Sequence, residues 1–302
     1  MKILLLGANG QVGFELARSL APLGDLRLAT RDGRAGGIAV DLANPETLDA
    51  ALHSVAPEIV VNAAAYTAVD RAEDEANLAE RINHWALTVL GAWAARTGAT
   101  VVHYSTDYVF DGQGTCPYRE DDATAPLGVY GRSKLAGEVA LRESGCDHLI
   151  FRTAWVYAAR GQNFLRTMLR LAGERDEIRV VEDQRGAPTP ARLIAAATAV
   201  ALARHIDSDN ALDGTYHLCA AGECSWYDFA STLLARAAER GLIARCPRVV
   251  PIPTSAYPTK ARRPAFSVLD TTRLRAAFGL HLPSWQDGLD SVIGELAPGA
   301  NR

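Results

Sequence analysis

The chain has 302 residues, of which 48% are hydrophobic and 22% charged, as is ordinary for a globular protein. Its formal net charge of −4 argues against a nucleic-acid-binding protein, which would carry a broad basic surface. The longest apolar run, Leu193 to Ala203, is about half as long as a membrane-spanning helix, so no membrane segment is predicted. The five cysteines and seven histidines are scattered without metal-ligand spacing, which predicts reduced thiols, a cytoplasmic location and no zinc site.

Short apolar runs alternate with helical patterns from the N-terminus onward. Ile3 to Leu6 is unbroken and apolar, as in a strand buried on both faces. The predicted strands are 3–6, 26–29, 38–40, 58–62, 100–105, 148–152 and 214–219, and 178–181 is predicted to be extended. The predicted helices are 11–20, 45–54, 77–97, one from 130, 163–172, 193–203, one from 225, 272–278 and 285–296. Residues 245–264 carry five prolines and little periodicity.

This alternation predicts an α/β fold with a doubly wound parallel sheet of the Rossmann type. The alternation of predicted strands and helices becomes less regular after Arg152, which indicates a smaller C-terminal substrate-binding lobe. We assign residues 1–155 to a dinucleotide-binding domain, with segments near 188–218 returning to it. Residues 156–187 and 219–302 form the lobe, so the two units are interleaved.

The glycine pattern Gly7-x-x-Gly10-x-x-Gly13 lies between the first predicted strand and the first predicted helix. Missing side chains let the backbone approach a pyrophosphate, and the free N–H groups of a helix N-terminus attract its charge. The position therefore predicts a dinucleotide site.

The residues after the second strand distinguish the two nicotinamide cofactors. A carboxylate there favours NAD through the ribose hydroxyl, whereas an arginine favours NADP through its phosphate. Arg31 comes first here and Asp32 second, which predicts NADPH with NADH tolerated. Asp41 ends the third strand and is a candidate for the adenine amino group, or else a turn residue before a helix.

A tyrosine and a lysine four residues apart, Tyr130 and Lys134, lie on one face of a predicted helix. An ammonium beside a phenol favours the phenolate, so we expect Lys134 to lower the pKa of Tyr130 toward working pH. Thr106 leaves the fifth strand at its carboxyl end, where open parallel sheets bind ligands. The three side chains suit carbonyl reduction: Tyr130 donates a proton to the developing alkoxide and Thr106 steadies that oxygen.

With these motifs the sequence resembles the extended short-chain dehydrogenases/reductases and, within them, the dTDP-4-dehydrorhamnose reductase family. The two most specific strings, Ser-Thr-Asp-Tyr-Val-Phe and Asp-Gln-x-Gly-x-Pro-Thr, begin at Ser105 and Asp183. The matching stretches, in the family's order, are 7–13, 62–70, 105–112, 130–138, 152–157, 163–164, 183–189, 225–229 and 263–264.

The resemblance implies NADPH-dependent reduction of the 4-keto group of dTDP-4-dehydro-6-deoxy-L-mannose to dTDP-L-rhamnose. It implies that the cofactor contacts Gly10, Gln11, Val12, Asp41, Leu42, Ala63, Ala64, Tyr66, Tyr130 and Lys134, and the motifs above add Gly7, Gly13 and Arg31. The implied sugar site holds Thr106, Asp107, Tyr108 and Trp155, with Asn163, Arg262 and Arg263 as candidates for the diphosphate or base. A tryptophan such as Trp155 offers a flat apolar face to a hexose ring.

Some relatives are thought to hold Mg2+ between two subunits with acidic side chains. Glu15 and Glu295 could fill two such places, but Arg192 takes a third, and a cation there opposes a metal. No metal is therefore predicted, whether Mg2+ is used is left open, and a homodimer is a possibility.

Two alternative functions stay open at this stage. A related sugar-nucleotide epimerase would return the hydride and oxidise no cofactor in net turnover. A non-catalytic regulatory subunit would bind NADP without chemistry, although Thr106, Tyr130 and Lys134 are all intact.

Overall fold

The computed structural model describes residues 1–34, 37–208 and 212–297. Within these ranges one parallel sheet has the strand order β11-β6-β5-β4-β1-β2-β3, which confirms the predicted doubly wound fold. The strands are β1 (Lys2–Leu6), β2 (Asp25–Thr30), β3 (Ile38–Ala39), β4 (Ile59–Asn62), β5 (Thr100–Thr106), β6 (His148–Thr153), β7 (Val156–Tyr157), β8 (Glu177–Val181), β9 (Arg185–Gly186), β10 (Thr189–Pro190), β11 (Gly214–His217), β12 (Cys224–Ser225) and β13 (Arg248–Ile252).

Helices cover both faces of the sheet. They are α1 (Gln11–Ser19), α2 (Pro45–Val55), α3 (Val69–Ala72), α4 (Ala76–Glu80), α5 (Ala86–Thr97), α6 (Val129–Glu143), α7 (Phe164–Glu174), α8 (Ala191–Asp207), α9 (Trp226–Glu239), α10 (Thr272–Phe278) and α11 (Trp285–Leu296). Among the described residues, no helix is both long and apolar enough to cross a membrane.

The first strand shows why its sequence is an unbroken apolar run. Ile3 and Leu5 join the core beneath α1 and α8, while Leu4 and Leu6 join the core beneath α2 and α5. Because both faces of β1 are covered, alternation with polar residues is absent. The glycine turn that follows β1 therefore starts in the interior of the sheet, since β1 has a neighbouring strand on each side.

The C-terminal half contributes a further core, built where α7, α9 and α11 pack against the parallel pair β8–β13. The strand β13 lies inside the proline-rich stretch for which no periodicity was expected, and pairing with β8 makes it extended. The end of the predicted lobe, 298–302, lies outside the described residues. The division into two units stays a prediction.

The long helix predicted over 77–97 is interrupted. A π-helical turn at Arg81–Trp85 separates α4 from α5 and lies where Asn83 is buried. Such a bulge re-aims side chains and is often found at functional sites. Several strand boundaries also differ from prediction by one or two residues; for example, β5 extends to Thr106 and β11 ends at His217.

Candidate active site

The glycine turn follows β1, which lies between β4 and β2 in the sheet. The chain changes direction across the sheet at this strand, which is where such folds bind ligands. Gly7 adopts a φ of 77°, and a Cβ there would lie 2.8 Å from the backbone nitrogen of Ala64. A Cβ on Gly13 would lie 2.0 Å from the carbonyl oxygen of Gly7. The Gly10 N–H donates to the Gly7 carbonyl at 2.9 Å, whereas no side chain caps α1, so the N–H groups of its first turn, from Gln11 onward, are available for a pyrophosphate.

Arg31 and Asp32, the two residues after β2, are the candidates for distinguishing NADP from NAD, and their surroundings differ. Asp32 accepts from Thr30 Oγ1 at 3.2 Å and pairs with Arg34 at 3.1 Å. A hydrogen bond from the Arg34 backbone holds the pKa of Asp32 below its usual value. Arg31 is exposed and has no ion-pair partner within the described ranges, so its guanidinium is available.

Asp41 uses one carboxylate oxygen to accept the Ala43 N–H at 3.0 Å, which is the turn role that the sequence left as an alternative. Leu42 beside it is buried. Both residues lie close in sequence to β3 and precede α2. Their contact with an adenine ring stays a prediction.

The loop after β4 runs beside the glycine turn, because Leu6 and Asn62 are register partners. Ala63 and Ala64 lead into Tyr66, whose hydroxyl donates to Glu75 Oε2 at 2.6 Å. The Asn83 side chain accepts the Tyr66 N–H at 2.9 Å and donates to its carbonyl at 3.1 Å. Thus the π-helical turn holds the backbone of this loop.

The phenol of Tyr130 lies at the carboxyl edge of the sheet, on the first turn of α6. Its ring meets that of Tyr108 edge to face, with centroids 5.6 Å apart. Burial raises the pKa of Tyr130 above its usual value, and the Thr106 side chain acts in the opposite direction. The phenol therefore keeps its proton at neutral pH.

Lys134 does not act on Tyr130 as expected from the four-residue spacing. Its Nζ lies 2.6 Å from the Tyr104 carbonyl oxygen and 2.9 Å from His103 Nε2, both on β5. Its side chain runs to the sheet and is buried, so the expected lowering of the Tyr130 pKa is wrong in this structure. Burial also lowers the pKa of Lys134, to about 7.

Thr106 and Asp107 form one unit at the end of β5. Thr106 Oγ1 donates to Asp107 Oδ1 at 3.0 Å and accepts the Tyr108 N–H at 3.2 Å. Asp107 is 2% exposed, and burial raises its pKa to about 6. The threonine hydroxyl is thereby held beside Tyr130.

Arg263 connects Tyr108 to the loop after β4. It donates to the Tyr108 hydroxyl at 2.9 Å and to Asp70 at 2.6 Å. A half-buried guanidinium held in this way beside the tyrosine pair is well placed for an anion. Arg262 is exposed, and no contact places it in the site.

The Trp155 ring is stacked on Trp226, with centroids 3.5 Å apart and planes 4° apart. One of its faces is therefore covered, which the sequence did not predict, and Gly186 packs so closely against the ring that a Cβ there would lie 2.5 Å from it. Its contact with a hexose stays a prediction. Trp155 has a φ of 47°, a rare conformation for a bulky residue and one that clusters at functional sites.

Asn163 caps α7 and also contacts the glycine turn. Its amide nitrogen donates to Gln11 Oε1 at 2.7 Å and to the Ala158 carbonyl at 2.9 Å, while its oxygen accepts the Arg166 N–H. These contacts link the start of α7 to the start of α1. The substrate role of Asn163 stays a prediction, without a free polar atom to support it.

The acidic pair considered for Mg2+ is bridged by an arginine. Arg192 contacts Glu295 at 2.7 Å and Glu15 at 3.6 Å, and Glu15 is buried. Its guanidinium occupies the place a cation would need, so these residues do not fit a divalent metal. Among the described residues, no three acidic, histidine or cysteine side chains form a metal-binding cluster.

Sequence reasoning missed five buried polar residues that support the site. They are Asn62, Asn83, His103, Glu138 and Arg152. The signal was present, because His103 interrupts an apolar strand and Asn83 interrupts a helical apolar pattern. A buried polar residue needs a partner, but only the fold shows which one.

The whole chain matches known proteins over nearly its full length. Residues 1–297 match the family described as the RmlD substrate binding domain. The chain is 52% identical over 301 residues to dTDP-4-dehydrorhamnose reductase of Burkholderia thailandensis, covering 98% of this chain and 99% of that protein. A crystal structure of a dTDP-4-dehydrorhamnose reductase from Clostridium acetobutylicum has a TM-score of 0.87 at 35% identity, covering 98% and 99% of the two chains. That of dTDP-4-dehydrorhamnose reductase from Bacillus anthracis in complex with NADP has a TM-score of 0.85 at 35% identity, covering 97% and 99%.

Proposed function

We propose, because the chain belongs to the RmlD substrate binding domain family, that it is an NADPH-dependent sugar-nucleotide reductase. Its substrate is dTDP-4-dehydro-6-deoxy-L-mannose, whose 4-keto group it reduces to give dTDP-L-rhamnose, the last step of that sugar nucleotide's synthesis. Relatives named dTDP-4-dehydrorhamnose reductase support the reaction. The relative in complex with NADP supports the cofactor.

One observation in the structure carries the chemistry. The Tyr130 phenol lies next to Thr106 at the carboxyl edge of a parallel sheet and has a raised pKa. Reduction of a ketone requires a group that still holds a proton at neutral pH and can give it to the developing alkoxide. A phenolate would be the wrong form for this direction.

The remaining groups have positioning tasks. NADPH, when bound, supplies the hydride. Thr106 Oγ1 turns its proton from Asp107 to the substrate oxygen and steadies it while Tyr130 protonates it. Lys134 lies one turn along α6 from Tyr130 and is the residue proposed to hold the nicotinamide ribose.

The proposed cofactor contacts follow the edge of the sheet. The N–H groups at the start of α1 receive the pyrophosphate, because they have no side-chain cap. Arg31 receives the 2′-phosphate, and tolerance of NADH remains part of the proposal. The other proposed contacts are Gly7, Gly13, Val12, Asp41, Leu42, Ala63, Ala64 and Tyr66.

The proposed sugar site lies between β5 and the second lobe. Trp155 contacts the hexose, Tyr108 and Asp107 contact its hydroxyls, and Arg263 contacts the diphosphate. A cytoplasmic location is supported by the five cysteines, each of which is a free thiol. A homodimer stays a prediction.

The test is to follow NADPH absorbance with the enzymatically prepared 4-keto sugar nucleotide and to identify the product. One NADPH oxidised per dTDP-L-rhamnose formed is the expected result. Product formed without net cofactor oxidation would indicate an epimerase. Binding of NADPH without turnover of any 4-keto sugar nucleotide would indicate a regulatory subunit.

A further inference from the structure

One segment with little secondary structure crosses the carboxyl edge of the sheet. Residues 254–264, here called the strap, follow β13, and most of their side chains are exposed. Apart from a short 3-10 turn at Thr254–Ala256, the strap contains no helix or strand. Its course therefore depends on contacts with other elements.

Both ends of the strap are fixed. At its start, the Asp183 carboxylate accepts the Thr254 N–H at 2.9 Å and the Thr254 hydroxyl at 2.6 Å. At its end, Pro264 packs against Gly112 so closely that a Cβ on the glycine would lie 2.4 Å from the proline Cβ. Asp183 and Gly112 each belong to one of the stretches that carry the family resemblance, and neither has a role in the proposed chemistry.

The middle of the strap is held by Asp70, which ends a third such stretch. Asp70 Oδ1 accepts the Ala261 N–H at 3.1 Å, and Asp70 Oδ2 accepts from Arg263 Nη2 at 2.6 Å. A carboxylate has two acceptor oxygens, so one side chain can hold both a backbone group and a guanidinium two residues further on. Ala261 is 1% exposed, although the residues on either side of it are exposed.

Asp70 also determines which way Arg263 points. Arg263 Nη1 donates to the Tyr108 hydroxyl at 2.9 Å, and the Tyr108 ring meets that of Tyr130 edge to face. These contacts use two of the five guanidinium N–H groups, and the other three have no partner in the described part of the chain. Donors held in a fixed plane beside the tyrosine pair suit the paired oxygens of a phosphate.

We infer that Asp70 is a positioning residue, which pins the strap across the carboxyl edge of the sheet and orients Arg263 for the diphosphate of the substrate. Its part in substrate binding rests on the proposed function. With Asp70 in place, the strap and the guanidinium are ordered before the substrate arrives, so binding does not lose the conformational entropy of ordering them. Without Asp70, the same contacts would form only at a cost in affinity.

Limited proteolysis tests the pinning without any turnover. Trypsin cleaves after Lys260 and Arg262, so two of its sites flank the residue whose N–H Asp70 holds. In Asp70→Asn the amide has one oxygen in place of two, and one of the two donors loses its acceptor. Cleavage at these two bonds should become about tenfold faster, because it follows the population of the open strap. Mass spectrometry of the fragments measures the rates.

Asp74→Asn is the matched control. It removes the same charge four residues further on, where Asp74 pairs with Lys260 and does not contact Arg263. That pair is exposed, so cleavage of the strap and nucleotide affinity should both stay within about twofold of the wild type.

Isothermal titration with dTDP, the nucleoside diphosphate without the sugar, tests the orientation of Arg263. Asp70→Asn should weaken dTDP binding about tenfold and leave NADPH binding within about twofold. Because Asp70 acts through Arg263, adding Asp70→Asn to Arg263→Ala should change dTDP affinity by less than about twofold. In steady-state assays, KM for the sugar nucleotide should rise while kcat changes little, a split that a purely stabilising residue would not produce.

The inference is overturned if folded Asp70→Asn is cleaved at the wild-type rate or binds dTDP with wild-type affinity, or if the two substitutions have additive effects in the double variant. Should Asp70→Asn fail to fold, hydrogen exchange in the wild type decides. The Ala261 N–H should exchange roughly 100-fold slower than an unstructured amide, and unprotected exchange would refute the pinning. A wild type that binds no dTDP would contradict the proposed substrate and the orientation of Arg263 toward it, whereas cleavage and exchange would still decide the pinning.

Discussion

Helix α6 buries two ionisable residues one turn apart, and the two are stabilised in opposite ways. Lys134 is 1% exposed and Glu138 is 0% exposed. At the Glu138 end, Arg152 forms two hydrogen bonds to the carboxylate, at 2.9 and 2.7 Å. At the Lys134 end, the lysine's hydrogen-bond partners among the described residues are a carbonyl and a histidine.

The difference shows that burial alone does not decide whether a side chain is charged. Burial would raise the pKa of Glu138, but the hydrogen bonds and charge of Arg152 outweigh it and leave the carboxylate ionised. Arginine cannot lose its proton, so a buried arginine must be paired, whereas a buried lysine can become neutral. One end of α6 is therefore a structural ion pair, and the other end is available for chemistry.

The largest expected effect is on turnover, at the first turn of α6. Tyr130→Phe removes the proton donor, and turnover should fall on the order of 10²–10⁴-fold with cofactor affinity little changed. Steady-state rates and NADPH binding by fluorescence measure the two quantities. Tyr216→Phe, on the edge strand β11, is the control, and near-normal turnover in Tyr130→Phe would remove the residue from this role.

The buried ion pair between Glu138 and Arg152 is tested with Glu138→Gln. It leaves the buried Arg152 guanidinium without a counter-charge, and the free energy of unfolding should fall by roughly 3–5 kcal/mol. Urea unfolding measures the loss. Glu174→Gln breaks the exposed pair with Arg170 and should change stability by less than about 1 kcal/mol. Equal effects of the two substitutions would show that burial of the first pair does not matter.

Asp107 sharpens the comparison, because it is a buried carboxylate without a cation partner among the described residues. Burial raises its pKa from 3.8 to about 6, so the folded state binds the proton more tightly than the unfolded state. The wild type should lose up to about 3 kcal/mol of stability as pH rises from 3.8 through about 6.

Asp107→Asn cannot ionise and should escape this loss. The variant should therefore be more stable than the wild type at about pH 8 and nearly equal to it at about pH 4. Denaturant unfolding at both values measures the difference. A gain of the same size at both pH values would contradict a titration of Asp107.

Replacing Lys134 should lower the free energy of unfolding by less than replacing Glu138 does. Lys134→Met leaves the Tyr104 carbonyl and His103 Nε2 without a partner, which should cost roughly 1–3 kcal/mol. This is less than the loss for Glu138→Gln, because no buried charge is orphaned. A loss larger than that of Glu138→Gln, in the same urea unfolding experiment, would indicate that Lys134 is charged and paired.

The smallest expected effect concerns Arg31, which is exposed and has no ion-pair partner in the part of the chain that the structure describes. Arg31→Ala should weaken NADPH binding by about tenfold, or ~1.4 kcal/mol, and leave NADH binding nearly unchanged. Isothermal titration with both nucleotides measures this. Arg34→Ala is the matched control, since Arg34 pairs with Asp32; equal losses of NADPH and NADH affinity in Arg31→Ala would refute the role.

Local patterns in the sequence predicted the sheet well, because a strand covered on both faces must be apolar throughout. They failed where pairing partners are distant: β13 is extended only because β8 lies beside it. They also predicted one helix where the π-helical turn at 81–85 divides two. Hydrophobic periodicity averages over several turns and does not register one extra residue within a turn.

The sequence by itself determined the strand–glycine turn–helix unit and the positions of Thr106, Tyr130 and Lys134, because these depend on spacing along one chain. The tertiary structure alone decided what each group faces. Across 31 residues it sets Lys134 against His103 on β5, so the nitrogen expected beside the phenol is buried against the sheet instead. Charge state depends on partners and water in three dimensions, which the order of residues along a helix does not specify.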